Sequence, residues 1–434
     1  MRALAWLAAM MLAAAELPAA ETVSTGAVVR LRPTARGLQL ERRGAPFVVK
    51  GANGSYRLDR LVEAGGNTVR TTPALLDRTQ ALGLAGIVTL PLESPRSGFD
   101  YGDTNAVQGQ FEGVRSLVRQ YRGHPALLLW SLGNEPEAGV GASQRTGLWK
   151  EVNRLAAMIK AEDPNHPVIV VLGEGYRRML RELDQHCPAL DAVGLNAHQE
   201  LLSLPEDLAR QGWRRPYLLT EMGVRTPAQA PRSTWRAALE ETSSAKAAFL
   251  LQAYRHAVEG ATNCLGACVS FWGFRPEITP TWSGLFLADG NRTESLDALT
   301  FLWTGRWPRN RCPQIGADGI RSRATNDRRI SSGDVLNAGR RYEFEISVTD
   351  PEGDALAMTW ELRVDAADDR ATGAEDDAAA DPLDGAIVEA RPDGRSATVQ
   401  LPNKPGNYRL FVYVYDGHGN AATANVPLFA VMAR

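Results

Sequence analysis

The chain has 434 residues, 44% of them hydrophobic, with 48 Lys+Arg against 50 Asp+Glu and a formal net charge of -2. That length allows one large domain and a smaller one. The near-neutral balance excludes an electrostatic reason to bind nucleic acid or an anionic membrane surface. Taken in chain order, residues 1–20 come first: Arg2 precedes an apolar run to Ala15, and Leu17-Pro18-Ala19-Ala20 supplies small residues for cleavage. This reads as a secretory signal peptide removed near Ala19 or Ala20, so a secreted or periplasmic protein is expected. No later stretch is apolar enough to span a membrane.

Residues 21–46 read as a β-hairpin closing the base of the next unit, with arms over 28–31 and 38–41. From Phe47 short apolar strands alternate with amphipathic helices. Strands are predicted over 48–53, 67–71, 86–92, 127–132, 168–172, 192–196, 217–220 and 265–272, and helices over 75–82, 111–122, 147–163, 246–259 and 294–303. Eight strands each followed by a helix predict a (β/α)₈ TIM barrel over residues 21–307. A doubly wound open sheet is the alternative, but Gly51-Ala52-Asn53-Gly54 is not a dinucleotide loop. Residues 308–316, with Pro308 and Pro313, read as a linker. Residues 317–434 read as a small all-β, Ig-like sandwich with strands over 342–348, 357–362, 396–401, 408–415 and 421–429. Within it, 365–386 is acidic and alanine-rich, the composition of a mobile loop. Four cysteines, Cys187, Cys264, Cys268 and Cys312, allow one or two disulfides. A bridge from Cys312 is the expected one, pinning the segment after the barrel. Their spacing does not suit zinc.

Two predicted strands end on carboxylates: Trp130-Ser131-Leu132-Gly133-Asn134-Glu135 and Pro216-Tyr217-Leu218-Leu219-Thr220-Glu221. A glutamate at the tip of a hydrophobic strand is costly unless paired or used. On the fourth and seventh strands of one barrel, the two can face each other across its mouth. Cleavage of a glycosidic bond with retention needs such a pair about 5–5.5 Å apart, one protonated and one ionised. Arg70, ending the second strand, is placed to hold Glu221 ionised.

Leu117 to Pro125, running into Glu135, resembles the fourth barrel strand of glycoside hydrolase clan A, with family 2 catalytic barrels the nearest likeness. Tyr217-Leu218-Leu219-Thr220-Glu221-Met222-Gly223 resembles the seventh strand. Phe99 to Asp103 and Trp282 to Phe286 are similar to further stretches of such barrels. The resemblance covers roughly residues 46–305. It implies a retaining β-glycoside hydrolase acting on β-linked oligo- or polysaccharides, with Glu135 the general acid/base, Glu221 the nucleophile and no metal or organic cofactor.

Further substrate-binding candidates follow. Asn134 suits a sugar 2-hydroxyl, and Asn53 and Glu93 are placed to contact other hydroxyls. Trp272, ending the eighth strand, is expected as an aromatic floor, with Tyr101 and Trp282 lining subsites. Asn196-Ala197-His198 ends the sixth strand where many clan A enzymes place a tyrosine bonded to the nucleophile, and His198 is expected in that role. Glu277 is undecided, while Glu137 and Glu174 read as structural. The C-terminal region resembles PKD-like or cadherin-like modules. There Asp350, Glu352 and Asp354 fit either calcium ligation or turn chemistry. Two other functions use the same residues: a transglycosylase, or a non-catalytic carbohydrate-binding protein on an enzyme-derived barrel. A pure binder has no need of two desolvated acids.

Overall fold

The computed structural model describes residues 28–35, 37–322, 335–365 and 380–432. The apolar run read as a signal peptide lies outside the described residues, as does most of the acidic 365–386 stretch. The chain enters through three antiparallel strands rather than a two-armed hairpin: β1 (Val29–Thr34), β2 (Gly37–Arg42) and β3 (Ala45–Phe47). They lie against one end of the barrel, Val29 and Leu40 packing with its interior residues. The Val29 amide donates to the Asn165 carbonyl and the Leu38 amide to Asn263 Oδ1, both just before a barrel strand.

Eight parallel strands then form a closed barrel: β4 (Val49–Asn53), β5 (Thr68–Thr71), β6 (Ala85–Leu90), β7 (Leu127–Leu132), β8 (Val168–Leu172), β9 (Ala192–Ala197), β10 (Tyr217–Met222) and β11 (Cys264–Val269). The TIM-barrel expectation therefore holds. These strands read as continuous apolar runs because both faces are covered. Ile87, Leu129, Ile169 and Leu218 pack inside the barrel with Val29 and Leu40 of the basal sheet. Their neighbours Val88, Trp130, Val170 and Leu219 pack outward on the helices.

The helices are α1 (Leu58–Glu63), α2 (Leu76–Ala81), α3 (Thr104–Tyr121), α4 (Ala142–Glu162), α5 (Tyr176–His186), α6 (Leu204–Arg210), α7 (Ser243–Tyr254) and α8 (Glu294–Thr304). Helix α3 begins earlier than its apolar periodicity predicted. Asp103 caps it, Oδ1 accepting from the Asn105 and Ala106 amides, so about two turns precede Phe111, where the predicted helix begins.

The remaining strands are β12 (Arg292–Thr293), β13 (Gln314–Ser322), β14 (Val335–Asn337), β15 (Arg341–Thr349), β16 (Ala357–Val364), β17 (Ile387–Ala390), β18 (Ser396–Gln400), β19 (Gly406–Tyr415) and β20 (Asn420–Val431). One sheet runs β12-β20-β19-β16 with β14 also on β20, and the other β13-β15-β18-β17. Phe344, Ile346 and Val399 of the second sheet share a core with Trp360, Leu410 and Val412 of the first. Within the linker expected over 308–316, β13 already starts at Gln314. Strand β12, from the segment between β11 and α8, pairs in parallel with β20, so the barrel region and the sandwich share a sheet.

Side chains tighten this junction. Arg409, 1% exposed, donates from Nε to Asp365 Oδ1 at 2.8 Å, from Nη2 to the Ala238 carbonyl at 2.9 Å and from Nη1 to Asn425 Oδ1 at 2.8 Å. Asn425 in turn donates to Glu240 Oε2 at 2.6 Å, and Lys246 Nζ lies 2.6 Å from Glu240 Oε1. Burial works to raise the Glu240 carboxyl, but the Lys246 ammonium and its hydrogen bond, the Thr279 hydroxyl and Arg409 together hold it below the ordinary range.

The disulfide expectation is corrected: all four cysteines are free thiols. Cys264 and Cys268 stand four positions apart on one strand, roughly 13 Å, about twice the reach of a disulfide. Cys312 is held instead by its amide, which donates to Asp297 Oδ2 at 2.6 Å.

Two outcomes are expected. Arg409→Ala strands the buried Asp365 carboxylate and should lower unfolding free energy by about 3–5 kcal/mol in urea titration. A loss below about 1 kcal/mol would show that the junction does not depend on it. Thermal melts with and without reductant should coincide, whereas a structural disulfide would add about 2–5 kcal/mol that reductant removes.

Candidate active site at the barrel mouth

The strand ends converge on one guanidinium. Arg70, on β5, donates from Nη1 to Glu221 Oε1 at 2.9 Å, from Nη2 to Asn134 Oδ1 at 2.8 Å and from Nε to Thr89 Oγ1 at 3.4 Å. The Arg70 side chain is 7% exposed and that of Glu221 18% exposed, so the pair is shielded enough to matter. The second oxygen of Glu221 accepts from Ser270 Oγ at 3.3 Å.

Glu221 is aimed by an irregularity in β10. The pairing with β9 runs Leu219 to Leu195 and then Glu221 to Asn196, leaving Thr220 without a partner position. Such an extra residue re-aims the side chains beside it. Thr220 turns its hydroxyl into the protein, donating to Asn196 Oδ1 at 2.9 Å.

Glu135 sits in the turn after β7, where Gly133 has φ 66° and Glu135 itself φ 51°. A left-handed non-glycine residue costs about 1–2 kcal/mol and persists where surrounding bonds hold it. Here the Glu135 amide donates to the Val171 carbonyl at 3.0 Å, and Asn196 Nδ2 donates to Glu135 Oε1 at 2.6 Å. A methyl group on Gly173 would come within 2.8 Å of Glu135 Cδ, so glycine is required there. Asn196 Nδ2 also reaches Asn134 Oδ1 at 3.1 Å. One chain of hydrogen bonds therefore runs Glu221, Arg70, Asn134, Asn196, Glu135.

An open cleft of about 370 Å³ borders this chain, lined among others by Asn53, Arg70, Thr71, Thr89, Asn134 and Glu221. Among the sequence candidates, the structure thus gathers Glu135, Glu221, Asn134, Arg70, Asn196 and Asn53. Asn196 is corrected in role: 2% exposed, it grips Glu135 rather than meeting a ligand. Glu93 is exposed on the loop after β6.

Residues 95–273 match the model of the TIM barrel domain of glycosyl hydrolases family 2. That span holds both glutamates, Asn134 and Asn196, while Arg70 lies before it. The chain is similar to the β-glucuronidase of Felis catus, 29% identical over 168 residues, covering 35% of this chain and 24% of that protein. It is also similar to the probable mannan endo-1,4-β-mannosidase F of Aspergillus oryzae, 31% identical over 93 residues, 21% of this chain and 19% of that one. Against the Bacteroides uniformis β-glucuronidase crystal structure the TM-score is 0.50 at 16% identity, over 94% of this chain and 48% of that one. That likeness is one of fold. The chain spans about a quarter or less of the length of these curated relatives.

Four expectations fail on burial or bonding. Trp272 is 0% exposed, its indole N–H donating to the Tyr56 carbonyl at 2.8 Å, so it is core and not a floor. Phe271 instead is half-buried, carrying Arg275 over its ring at 5.8 Å. Trp282 is buried with Ala230 and Ala238, and donates to the Arg225 carbonyl at 2.9 Å. Tyr101 spends its hydroxyl on the Glu93 carbonyl at 2.5 Å and packs against the core. His198 Nδ1 lies 3.0 Å from the Val224 carbonyl, so it donates there, and Ser270 takes the place beside Glu221 foreseen for it.

Ser270, Thr89 and Thr220 carry no signal in the sequence, and Glu137 looks structural there. Ser270 is hidden because the apolar pattern of the eighth strand runs on to 272, past its true end at Val269. Glu137 is 7% exposed, with Oε1 accepting from the Gly173 amide at 2.9 Å. Burial pushes its carboxyl up to about 7, opposed by the Gly173 hydrogen bond and reinforced by the charge of Glu135.

The sign of the resulting stability change follows. Between an ordinary value of 4.5 and about 7, the unfolded chain releases this proton while the folded chain keeps it. Stability is therefore lost as pH rises through that window and is level above it. Glu137→Gln removes the loss: relative to the parent protein it should gain up to about 3 kcal/mol between pH 4.5 and 8 in denaturant titrations. A difference independent of pH would contradict this.

Proposed function

We propose that the protein is a retaining β-glycoside hydrolase acting on β-linked oligo- or polysaccharides. The observation that carries this reading is the hydrogen-bonded chain joining two carboxylates at the tips of the fourth and seventh barrel strands. Their surroundings differ in a way that divides the work. Glu221 is paired with the Arg70 guanidinium at 2.9 Å, which aims its carboxylate into the mouth and suits a nucleophile. Glu135 is held by the neutral Asn196 amide and not by a guanidinium, a setting that suits the partner handling the departing oxygen.

In the first step Glu221 attacks the anomeric carbon while Glu135 protonates the departing oxygen. In the second, Glu135 takes a proton from water, which attacks the same carbon and frees Glu221. The Asn134 carbonyl oxygen accepts from both Arg70 and Asn196, which fixes its amide so that the NH₂ is left to donate to a sugar hydroxyl. The family-model match supports the reaction class. The named relatives, acting on glucuronides and mannans, supply the first sugars to try. The Arg2-led apolar run supports export. The turns at Asp350 to Asp354 and Asp416 to Asn420 support reading the sandwich as a PKD-like module.

The test is a panel of aryl β-glycosides, glucuronide and mannoside included, with matching oligosaccharides. Glu221→Ala should fall to background on every substrate the parent protein cleaves. Glu135→Ala should lose about 10²–10⁴-fold on oligosaccharides but far less on aryl glycosides with acidic leaving groups, which need no proton. Azide should restore turnover to Glu135→Ala. Parent-like turnover by both variants would sink the assignment, and chromatography of the products separates hydrolysis from sugar transfer.

A further inference from the structure

The hydrogen bonds at the mouth have a branch that returns to the strand of Glu221 itself. Along β10 the side chains alternate at first, Leu218 packing inside the barrel and Leu219 outside it. The irregularity at Thr220 breaks that alternation, and Met222 packs outside again. Thr220 and Glu221 are therefore consecutive residues that both face inward. Thr220 is 0% exposed. Its methyl group fills the space that Gly194 leaves on β9, where a β-carbon would stand 2.9 Å from it and 2.8 Å from Val171 Cγ2. A β-branched side chain wedged in this way keeps one rotamer, which aims the hydroxyl at Asn196.

The direction of each bond leaves that hydroxyl a single role. Arg70 can only donate, so Asn134 turns its carbonyl oxygen to it. That oxygen is an acceptor, so Asn196 turns its NH₂ to it and to Glu135 Oε1. The Asn196 carbonyl is left pointing inward, in a residue 2% exposed, and the Thr220 hydroxyl is the donor that meets it at 2.9 Å. Hydrogen bonds thus run from Glu221 through Arg70, Asn134 and Asn196 to Thr220. The peptide bond between Thr220 and Glu221 closes the ring, and Glu135 hangs on it from Asn196. A buried amide carbonyl deprived of its donor is costly, so the ring depends on this last link.

We propose that Thr220 is a positioning residue for Glu135: its hydroxyl locks the Asn196 amide and so fixes where Glu135 stands relative to Glu221. The inference rests on Glu135 being the acid/base. Without the hydroxyl, Asn196 is released on one side and Glu135 loses its fixed place in the turn. Proton delivery to the departing oxygen then suffers, because it needs close alignment. Attack by Glu221 suffers less, since Arg70 and Ser270 still hold that carboxylate.

The test uses the full chain. Thr220→Val exchanges the hydroxyl for a methyl group of like shape, and Thr220→Ser keeps the hydroxyl. The pair Thr220→Ser and Thr220→Ala, which differ only by the hydroxyl, repeats the comparison without filling the site. On aryl β-glycosides with weakly acidic leaving groups, kcat/KM of Thr220→Val should fall about 10–100-fold. With strongly acidic leaving groups, which need no proton, it should fall far less. Thr220→Ser should recover most of the loss and Thr220→Ala should not. A loss equal across leaving groups, or parent-like rates without the hydroxyl, would overturn the proposal. A second readout needs no turnover. The ¹⁵N side-chain amide signals of Asn196, identified by their loss in Asn196→Asp, should exchange with water about tenfold faster in Thr220→Val and Thr220→Ala than in the parent protein or Thr220→Ser. Unchanged exchange in the folded variants would also overturn it. A parent protein that cleaves no glycoside would count against the functional reading alone, since the exchange still decides the lock on Asn196.

Discussion

The barrel mouth is organised by the fork of a single guanidinium. Arg70 has donors pointing in three directions, and Glu221, Asn134 and Thr89 occupy them, one each from the seventh, fourth and third strands. A lysine in its place could satisfy one of these but not hold the angle between them. That angle turns the Asn134 amide, which with Asn196 sets Glu135. The orientations of the two carboxylates are thus linked through rigid, shielded groups rather than through solvent.

Support for this arrangement comes from outside the barrel as well. The loops after β10 and β11 carry Ala238, Glu240, Thr279 and Thr281, and all four are bonded within the Arg409 and Asn425 junction. The C-terminal sandwich is therefore a wall against which two mouth loops are built. Its acids at Asp350, Asp354 and Asp416 stand close together, but Asp416 already accepts from the His418 and Asn420 amides, which is the work of a turn.

The fold was legible because the barrel strands obey one constraint. Buried on both faces, they show as apolar runs of strand length, and counting them placed Glu135 and Glu221 correctly. The two carboxylates and Arg70 were legible for the same reason: a charge that closes such a run must be paired or put to use. What remained hidden was decided by local geometry. Trp272 and Phe271 are adjacent aromatics, and which one turns inward depends on where β11 ends, a boundary that composition does not mark. The turns of α3 ahead of Phe111 leave no trace in the apolar pattern because Thr104 to Gln110 carry only Ala106 and Val107 as apolar residues and rely on the Asp103 cap. His198 was given a role that the Val224 carbonyl pre-empts, and Ser270 emerged only when the eighth strand was seen to stop at Val269. Buried Glu137 looked like any loop acid, since its weight comes from Gly173, thirty-six positions on.

The two-residue strand β12 carries a consequence for how the molecule is made. Its partner β20 is the last strand of the described chain, 128 positions later for the pair Arg292 and Asn420. During synthesis the barrel's strands and helices emerge in order, and β12 can meet only Leu285 and Phe286 of its own loop until β20 has left the ribosome. The loop between β11 and α8, which borders the mouth, thus gains its pairing with the sandwich only after the sandwich strands have been made.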